Sequence, residues 1–352
     1  MNNLKNYEKA VFALREIYLS YGYLPYKMSK FEEYDLYLKN KEFLVSDRVI
    51  TFTDTNGKLL ALKPDVTLSI LKNASGEKQK VCYNENVYRV SSGTNTFKEI
   101  MQTGIECRGK VGLYDVYESV LLACKSLESI SEEYVLDISH LGIINKLLQG
   151  QDSVFVEKIL VALSEKNKNA IMHACKEYDK QDMQSVLVEL ATLYGDVKQV
   201  IQKLESLDLI KYAQELKDIY NLIKDSKYYN KINVDFSLTG DINYYNGIIF
   251  KGYINGIAES VLSGGRYDKL AQKLGKTCSA IGFAVYLDLL ENFNYTPSEY
   301  DVDTLIIYND TVSEEEIIKA VNENLSFGTV RVQQEIGTLR YKKLLALGDK
   351  KW

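Results

Sequence analysis

The sequence predicts an α+β protein: a β-rich body interrupted by a helical insertion and followed by a small α/β unit. Three observations carry this. Residues 48–107 contain two strand–turn–strand patterns, the first turning at Asn56-Gly57, the strongest short hairpin signal. From Leu141 to about Asp225 the chain is rich in Leu, Lys and Glu at helical spacing and has no proline. Strand patterns then resume at residues 232–262. The expected divisions are 1–140 and 231–295 for the two parts of the body, 141–230 for the insertion and 300–352 for the tail.

Taken in order, Tyr7, Val11, Leu14, Tyr18 and Tyr21 fall at three- and four-residue steps, an amphipathic helix closed by Gly22. A loop or short strand follows to Glu33. Strands are expected at Arg48–Thr53 and Lys58–Leu62, and Pro64 and Asp65 open a helix over Leu68–Asn73. A hairpin spans 83–107, a helix Tyr114–Ile130 and a strand Val135–Ile138. After the insertion come strands at Ile232–Leu238, Ile248–Ile254 and Ala258–Leu262. Ala280–Leu290 reads as an apolar helix, and Thr296-Pro297-Ser298 as a linker. The tail reads strand Thr304–Ile307, helix Glu314–Asn322, strand Thr329–Gln333 and helix Leu339–Leu347.

Composition narrows the function classes. A formal net charge of −5 and a pI near 5.4 do not suit a large nucleic-acid surface. The basic tail (Arg340, Lys342, Lys343, Lys350, Lys351) reads as a solvated helix face. The five cysteines form no CxxC pair, and with only two histidines no familiar zinc spacing arises. Free thiols, no basic-then-apolar leader and no apolar run of membrane-span length predict a soluble cytosolic protein without metal or cofactor. Phosphate-loop, zinc-hydrolase and nucleophile-elbow motifs are all missing.

Four pieces remain as site candidates. Asp65 and Thr67, in Leu62-Lys63-Pro64-Asp65-Val66-Thr67, could receive an ammonium group, and are equally ordinary helix-capping residues. On the second strand of the 83–107 hairpin, alternation sets Gln102, Gly104 and Glu106 on one face. Two polar groups around a glycine gap suit a small polar ligand, or else a solvated sheet face. Adjacent Tyr244 and Tyr245 would point to opposite faces if extended, so that one phenol enters a pocket while the other packs; otherwise the piece is a β-turn beside a tyrosine-rich strand. In Ser263-Gly264-Gly265-Arg266-Tyr267-Asp268 the glycines permit close backbone approach, or mark a plain strand-to-helix turn.

In this order the pieces resemble the catalytic core of class II aminoacyl-tRNA synthetases, specifically histidyl-tRNA synthetase. LKPDVT resembles that family's LRPEGT, VYR…FKEIMQTGIE its motif 2, DINYYNGIIF its GLDYYTGTVF, SGGRYDKL its GGRYDGL, and AIGFAVYLDLL its motif 3. The resemblance runs from about residue 5 to 290. It implies a class II synthetase-like antiparallel sheet flanked by helices. It also implies an amino-acid site in which Asp65, Thr67 and Gln102 face the α-amino group, Glu106 and Tyr245 address an imidazole, and Tyr267 lines the pocket. Arg89 is the retained motif 2 arginine of that site.

The nucleotide side departs from the family. Ser91 replaces a glutamate that helps hold ATP, and the loop Val90–Phe97 is short and has lost its Arg and Glu residues. Gly240 replaces the arginine that meets the histidine carboxylate and the phosphate, and Leu289 the arginine that clamps the ATP phosphates. Ser29 replaces a proline of the dimer-forming motif 1. Adenylate formation needs cations where phosphate charge develops, and a leucine cannot replace a guanidinium fork. The pattern resembles the non-catalytic regulatory subunits of ATP phosphoribosyltransferase. That implies a self-associating dimer, a short catalytic subunit as partner, and histidine as effector of the first step of histidine biosynthesis. An active histidyl-tRNA synthetase and a free-standing histidine sensor are the competing readings.

Overall fold

In this computed structural model, residues 5–39, 49–72, 77–91, 94–240, 244–291, 293 and 298–348 are described. The chain forms two compact units, Met1–Phe293 and Asn294–Trp352.

The first unit opens with α1 (Asn6–Ser20), which ends where Gly22 takes φ +78° and leads into β1 (Leu24–Pro25). β2 (Phe31–Glu33), α2 (Tyr34–Leu38), β3 (Thr51–Thr53) and β4 (Leu59–Leu62) follow. The three strands make a small antiparallel sheet in the order β2-β4-β3. Its hairpin turns at Asn56-Gly57, where the Asp54 carboxylate accepts from the Asn56 and Lys58 amides. α3 (Val66–Lys72) follows Pro64, and β5 (Gln79–Val90) and β6 (Phe97–Gly109) form the long hairpin. Arg48 and Asn73, at the ends of two expected elements, lie outside the described residues, as does the linker up to Pro297.

Next come α4 (Leu113–Ile130), β7 (Tyr134–His140), α5 (Leu141–Leu148), α6 (Ser153–Ser164), α7 (Lys168–Glu177), α8 (Gln181–Thr192), β8 (Tyr194–Asp196), α9 (Val197–Ser206) and α10 (Gln214–Ile223). The unit finishes with β9 (Ile232–Asp235), β10 (Ile248–Ile254), β11 (Leu262–Arg266), α11 (Asp268–Lys273), β12 (Ser279–Tyr286) and a 3-10 turn, Leu287–Leu290.

Nine strands form one sheet in the order β1-β5-β6-β12-β11-β10-β7-β9-β8. It is antiparallel from β5 to β7, as the synthetase-like fold requires, with parallel pairs β1–β5 and β7–β9 near its edges. On one face α4 covers β7, β10 and β12, burying Val116, Val120 and Leu127 with Phe250 and Phe283. The opposite face carries the site. The insertion is not wholly helical, because β8 pairs with β9 at the sheet edge.

Two sequence expectations fail here. Ala280–Leu290 is not a helix. Residues 279–286 are β12, a central strand whose both faces are covered, so its run of apolar residues lacks the alternation of a half-buried strand. The strand expected at Ala258–Leu262 instead starts at Leu262 and runs through Gly264-Gly265 as β11. These glycines lie inside the sheet, where a Cβ at Gly264 would fall 2.3 Å from the Phe283 Cβ.

The second unit contains β13 (Val302–Ile307), α12 (Glu314–Leu325), β14 (Val330–Gln333) and β15 (Tyr341–Ala346), a parallel sheet in the order β14-β13-β15. The helix expected at Leu339–Leu347 is therefore the strand β15. Arg340, expected on a solvated helix face, forms an ion pair with Asp301 at 2.9 Å.

Candidate functional site

The sheet face opposite α4 is laid out in rows of cross-strand partners. One row runs Glu106–Gly282–Gly265–Ile249 from β6 to β10. The next, two residues along each strand, runs Gly104–Ala284–Ser263–Lys251. Glycine, alanine and serine therefore fill the centre of both rows and leave a bare floor. The close approach is obligatory at Gly282, where a Cβ would lie 1.8 Å from Glu106 Oε2 and 2.3 Å from the Ile105 carbonyl. Above this floor is a cavity of about 470 Å³.

All seven residues singled out from the sequence line this cavity: Asp65, Thr67, Arg89, Gln102, Glu106, Tyr245 and Tyr267. Glu106, only 2% exposed, is the centre of the polar network. Thr67 Oγ1 donates to its Oε1 at 2.7 Å, and the Tyr267 hydroxyl donates to its Oε2. Burial pushes the Glu106 carboxyl up to about 8, against the two hydrogen bonds, which favour the anion. Near neutral pH it therefore holds a proton and releases it readily to a basic partner.

Asp65 caps α3, accepting from the Leu68 amide at 2.9 Å, so the capping reading of this residue is realised. It also lines the cavity. Burial raises its pKa, while that amide and the nearby Arg89 oppose the rise. Arg89 Nε donates to the Pro64 carbonyl at 2.9 Å, tying β5 to the loop before α3.

Several lining residues were not singled out as ligand-facing. Tyr244 and Tyr245 both reach the cavity wall, with ring centroids 4.7 Å apart, and Tyr244 also meets the Tyr267 ring at a tilt, with centroids 5.8 Å apart. The expected division into one packing and one pocket phenol does not hold, because the segment is not an extended strand. Tyr83, Tyr286 and Lys251 also line the cavity. Tyr83 was legible in principle, since it sits opposite Gly104 in the β5–β6 register and its hydroxyl donates to the Phe283 carbonyl at 3.4 Å. Burial raises the pKa values of Tyr83, Tyr244 and Tyr267 well above the phenol range, so all three remain neutral donors.

The edge towards the β5–β6 turn is built differently. Ser91 N bonds to the Thr96 carbonyl, closing the hairpin. Asp288 accepts from the Met101 amide at 3.1 Å, and Leu289 packs against the main hydrophobic core. Among the described residues no group of three or more His, Cys, Asp or Glu side chains could hold a metal, and no helix is long and apolar enough to cross a membrane.

A mostly antiparallel sheet with a long hairpin, a glycine-floored polar cavity and a helical insertion defines a class II aminoacyl-tRNA synthetase-like protein. The family model for histidyl-tRNA synthetase matches residues 2–290. An ATP phosphoribosyltransferase regulatory subunit from Clostridium kluyveri is 30% identical over 84% of this chain and 81% of its own length. The fold matches that of an ATP phosphoribosyltransferase regulatory subunit/histidyl-tRNA synthetase from Bacillus halodurans, at a TM-score of 0.78 and 23% identity over 97% of this chain and 93% of that one. It also matches a chain of an ATP phosphoribosyltransferase complex from Thermotoga maritima, at a TM-score of 0.65 and 20% identity over 81% of this chain and 98% of that one. The chain belongs to the histidyl-tRNA synthetase family and, within it, to the ATP phosphoribosyltransferase regulatory subunits.

Proposed function

We propose that this chain is the histidine-responsive, non-catalytic subunit of an ATP phosphoribosyltransferase. In this reading it pairs with a short catalytic subunit in the cytoplasm, is required for that subunit's activity in the first step of histidine biosynthesis, and passes on feedback inhibition when histidine fills the cavity. It works as a self-associated dimer within that hetero-oligomer. The supporting observation is the asymmetry of the cavity. Glu106, Thr67, Tyr267, Gln102 and Asp65 stand together on the amino-acid side. The positions that would hold phosphate charge carry Ser91, Gly240 and Leu289.

In the proposed pose the imidazole meets Glu106 and Tyr245, and the α-amino group meets Asp65, Thr67 and Gln102. Arg89, held to the Pro64 carbonyl, fixes the loop that presents Asp65. Histidine can regulate only if it binds the active and inactive assemblies with different affinity.

Titration of histidine into this chain alone, and then into its assembly with the catalytic subunit, tests the reading. Binding to both with unequal affinity, together with dependence of transferase activity on this chain, is expected. Failure to associate with the catalytic subunit at micromolar concentration would overturn it. Histidine-dependent ATP–pyrophosphate exchange by the purified chain would favour an active synthetase instead.

A further inference from the structure

The proposed site has a partner for the imidazole and several for the amine, but Gly240 offers nothing to the ligand's carboxylate. A second cation is nevertheless built into the cavity wall. Lys251 lies on β10 in the Gly104–Ala284–Ser263–Lys251 row and lines the cavity. From β6 to β10 is three strand spacings, about 14 Å. Glu106 and Lys251 thus stand at opposite sides of a floor made of glycine, alanine and serine.

The Lys251 ammonium has no hydrogen-bond or ion-pair partner among the described residues. The acid beside it in the register is Asp137 on β7. That carboxylate instead accepts from Asn233 at 3.3 Å, and the charges that act on it are those of Asp235 and Lys166. Ser263, the other neighbour in the row, carries no charge that could hold the ammonium. The remaining cation of the wall, Arg89, is tied to Pro64 and faces the Asp65 carboxylate.

We propose that Lys251 is the carboxylate anchor of this site, receiving the α-carboxylate of the bound amino acid in place of an arginine at position 240. The proposal rests on the histidine reading above and specifies which wall of the cavity holds the carboxylate. It is also a statement about specificity. An ammonium is a compact point charge on a flexible stem, enough to bind a carboxylate. It lacks the planar fork that could hold a carboxylate and a phosphate together.

Calorimetry with L-histidine and L-histidinol separates the possibilities, since histidinol keeps the amine and imidazole and replaces the carboxylate with a neutral alcohol. The wild-type chain is expected to prefer histidine by about tenfold or more. Lys251→Met should lose about that factor for histidine and nothing for histidinol, so the preference disappears, while Lys251→Arg should keep most of it. The unchanged histidinol affinity serves as the folding control. Retention of the preference by Lys251→Met overturns the anchor and leaves the histidine reading standing. Equal loss of both ligands, or no wild-type preference, also overturns it. No histidine binding by the wild type removes the proposed function itself, and this proposal with it.

Discussion

Strand β6 has two ends with different fates. From Gln102 to Gly109 every residue is buried, and Gln102 and Glu106 reach into the cavity above a glycine floor. From Phe97 to Glu99 every residue is exposed, Phe97 by 73%, and the hairpin is closed by a backbone hydrogen bond to Ser91. A polar group in a covered pocket is worth keeping only if something satisfies it, and Glu106 has Thr67 and Tyr267. The other end has no buried polar group to satisfy, and its one cation, Lys98, is exposed to solvent. Under the proposed function, the two ends separate recognition of an amino acid from its activation along one strand.

The contrast is broken most directly at the floor. Gly282→Ala sets a methyl against Glu106 Oε2 and the Ile105 carbonyl, and the second of these is backbone that cannot swing aside. A loss of about 3 kcal/mol in stability is expected, read as a lower urea midpoint. An unchanged midpoint would mean the strands can part, and that the floor is not what shapes the site.

Glu106→Gln comes next, with a loss of roughly 1.5–3 kcal/mol in histidine binding by calorimetry. Its pH signature is sharper. Folded Glu106 holds its proton up to about pH 8, whereas an unfolded glutamate releases it near 4.3. Between these values the folded chain binds more protons, so this group's contribution to stability is full below about 4.3 and is lost as pH rises through 8. For binding, the free carboxyl and the free imidazole together hold one proton between about pH 6.5 and 8, and so does their pair in the complex. Affinity should therefore be flat across that window. It should fall below it, as free imidazole gains a second proton for the pair, and above it, as the shared proton is lost. The glutamine variant should lose the upper limb at 8. If both proteins show the same upper limb, Glu106 is not the partner of the imidazole.

Much of this site was legible in the sequence because alternation along Phe97–Cys107 fixes which side chains share a face, and Gly104 marks the gap between them. The hairpin at Asn56-Gly57 and the helix closed by Gly22 were legible for the same reason: local backbone chemistry decides them. What local pattern could not give was the interior of the sheet. β12 is covered on both faces and so reads as an apolar helix, and β15 is decided by its pairing with β13 rather than by its own residues. Lys251 became visible only with the register, because its neighbours across the floor, Ser263, Ala284 and Gly104, come from three other parts of the chain. The Tyr244–Tyr245 pair follows the turn reading of its segment rather than the extended one, so alternation does not sort its two phenols.

A milder test of the network is Tyr267→Phe. It removes one donor to the Glu106 carboxylate while keeping the ring that packs against Tyr244. The anion of Glu106 then loses support, and histidine affinity should fall by about 1 kcal/mol. The upper limb of the pH profile should move further up, since the lost hydrogen bond favoured the charged form. A downward move would mean that the hydroxyl acts on the neutral acid instead.

The smallest effect is expected at the other end of the comparison. Leu289→Arg restores one guanidinium to the nucleotide side, and a long side chain at this half-buried edge can lay its stem on the core and keep its charge in water. Histidine affinity should change by less than about 0.5 kcal/mol, and ATP–pyrophosphate exchange should stay absent. One cation cannot do the work of a fork at 289, a second arginine at 240 and an acid at 91. The second is the hardest to regain, because Gly240 sits at φ +54°, where an arginine would cost about 1–2 kcal/mol of backbone strain. Exchange appearing with Leu289→Arg alone would show that the nucleotide side is intact but for one residue, and the separation between the two ends of β6 would collapse to a single substitution.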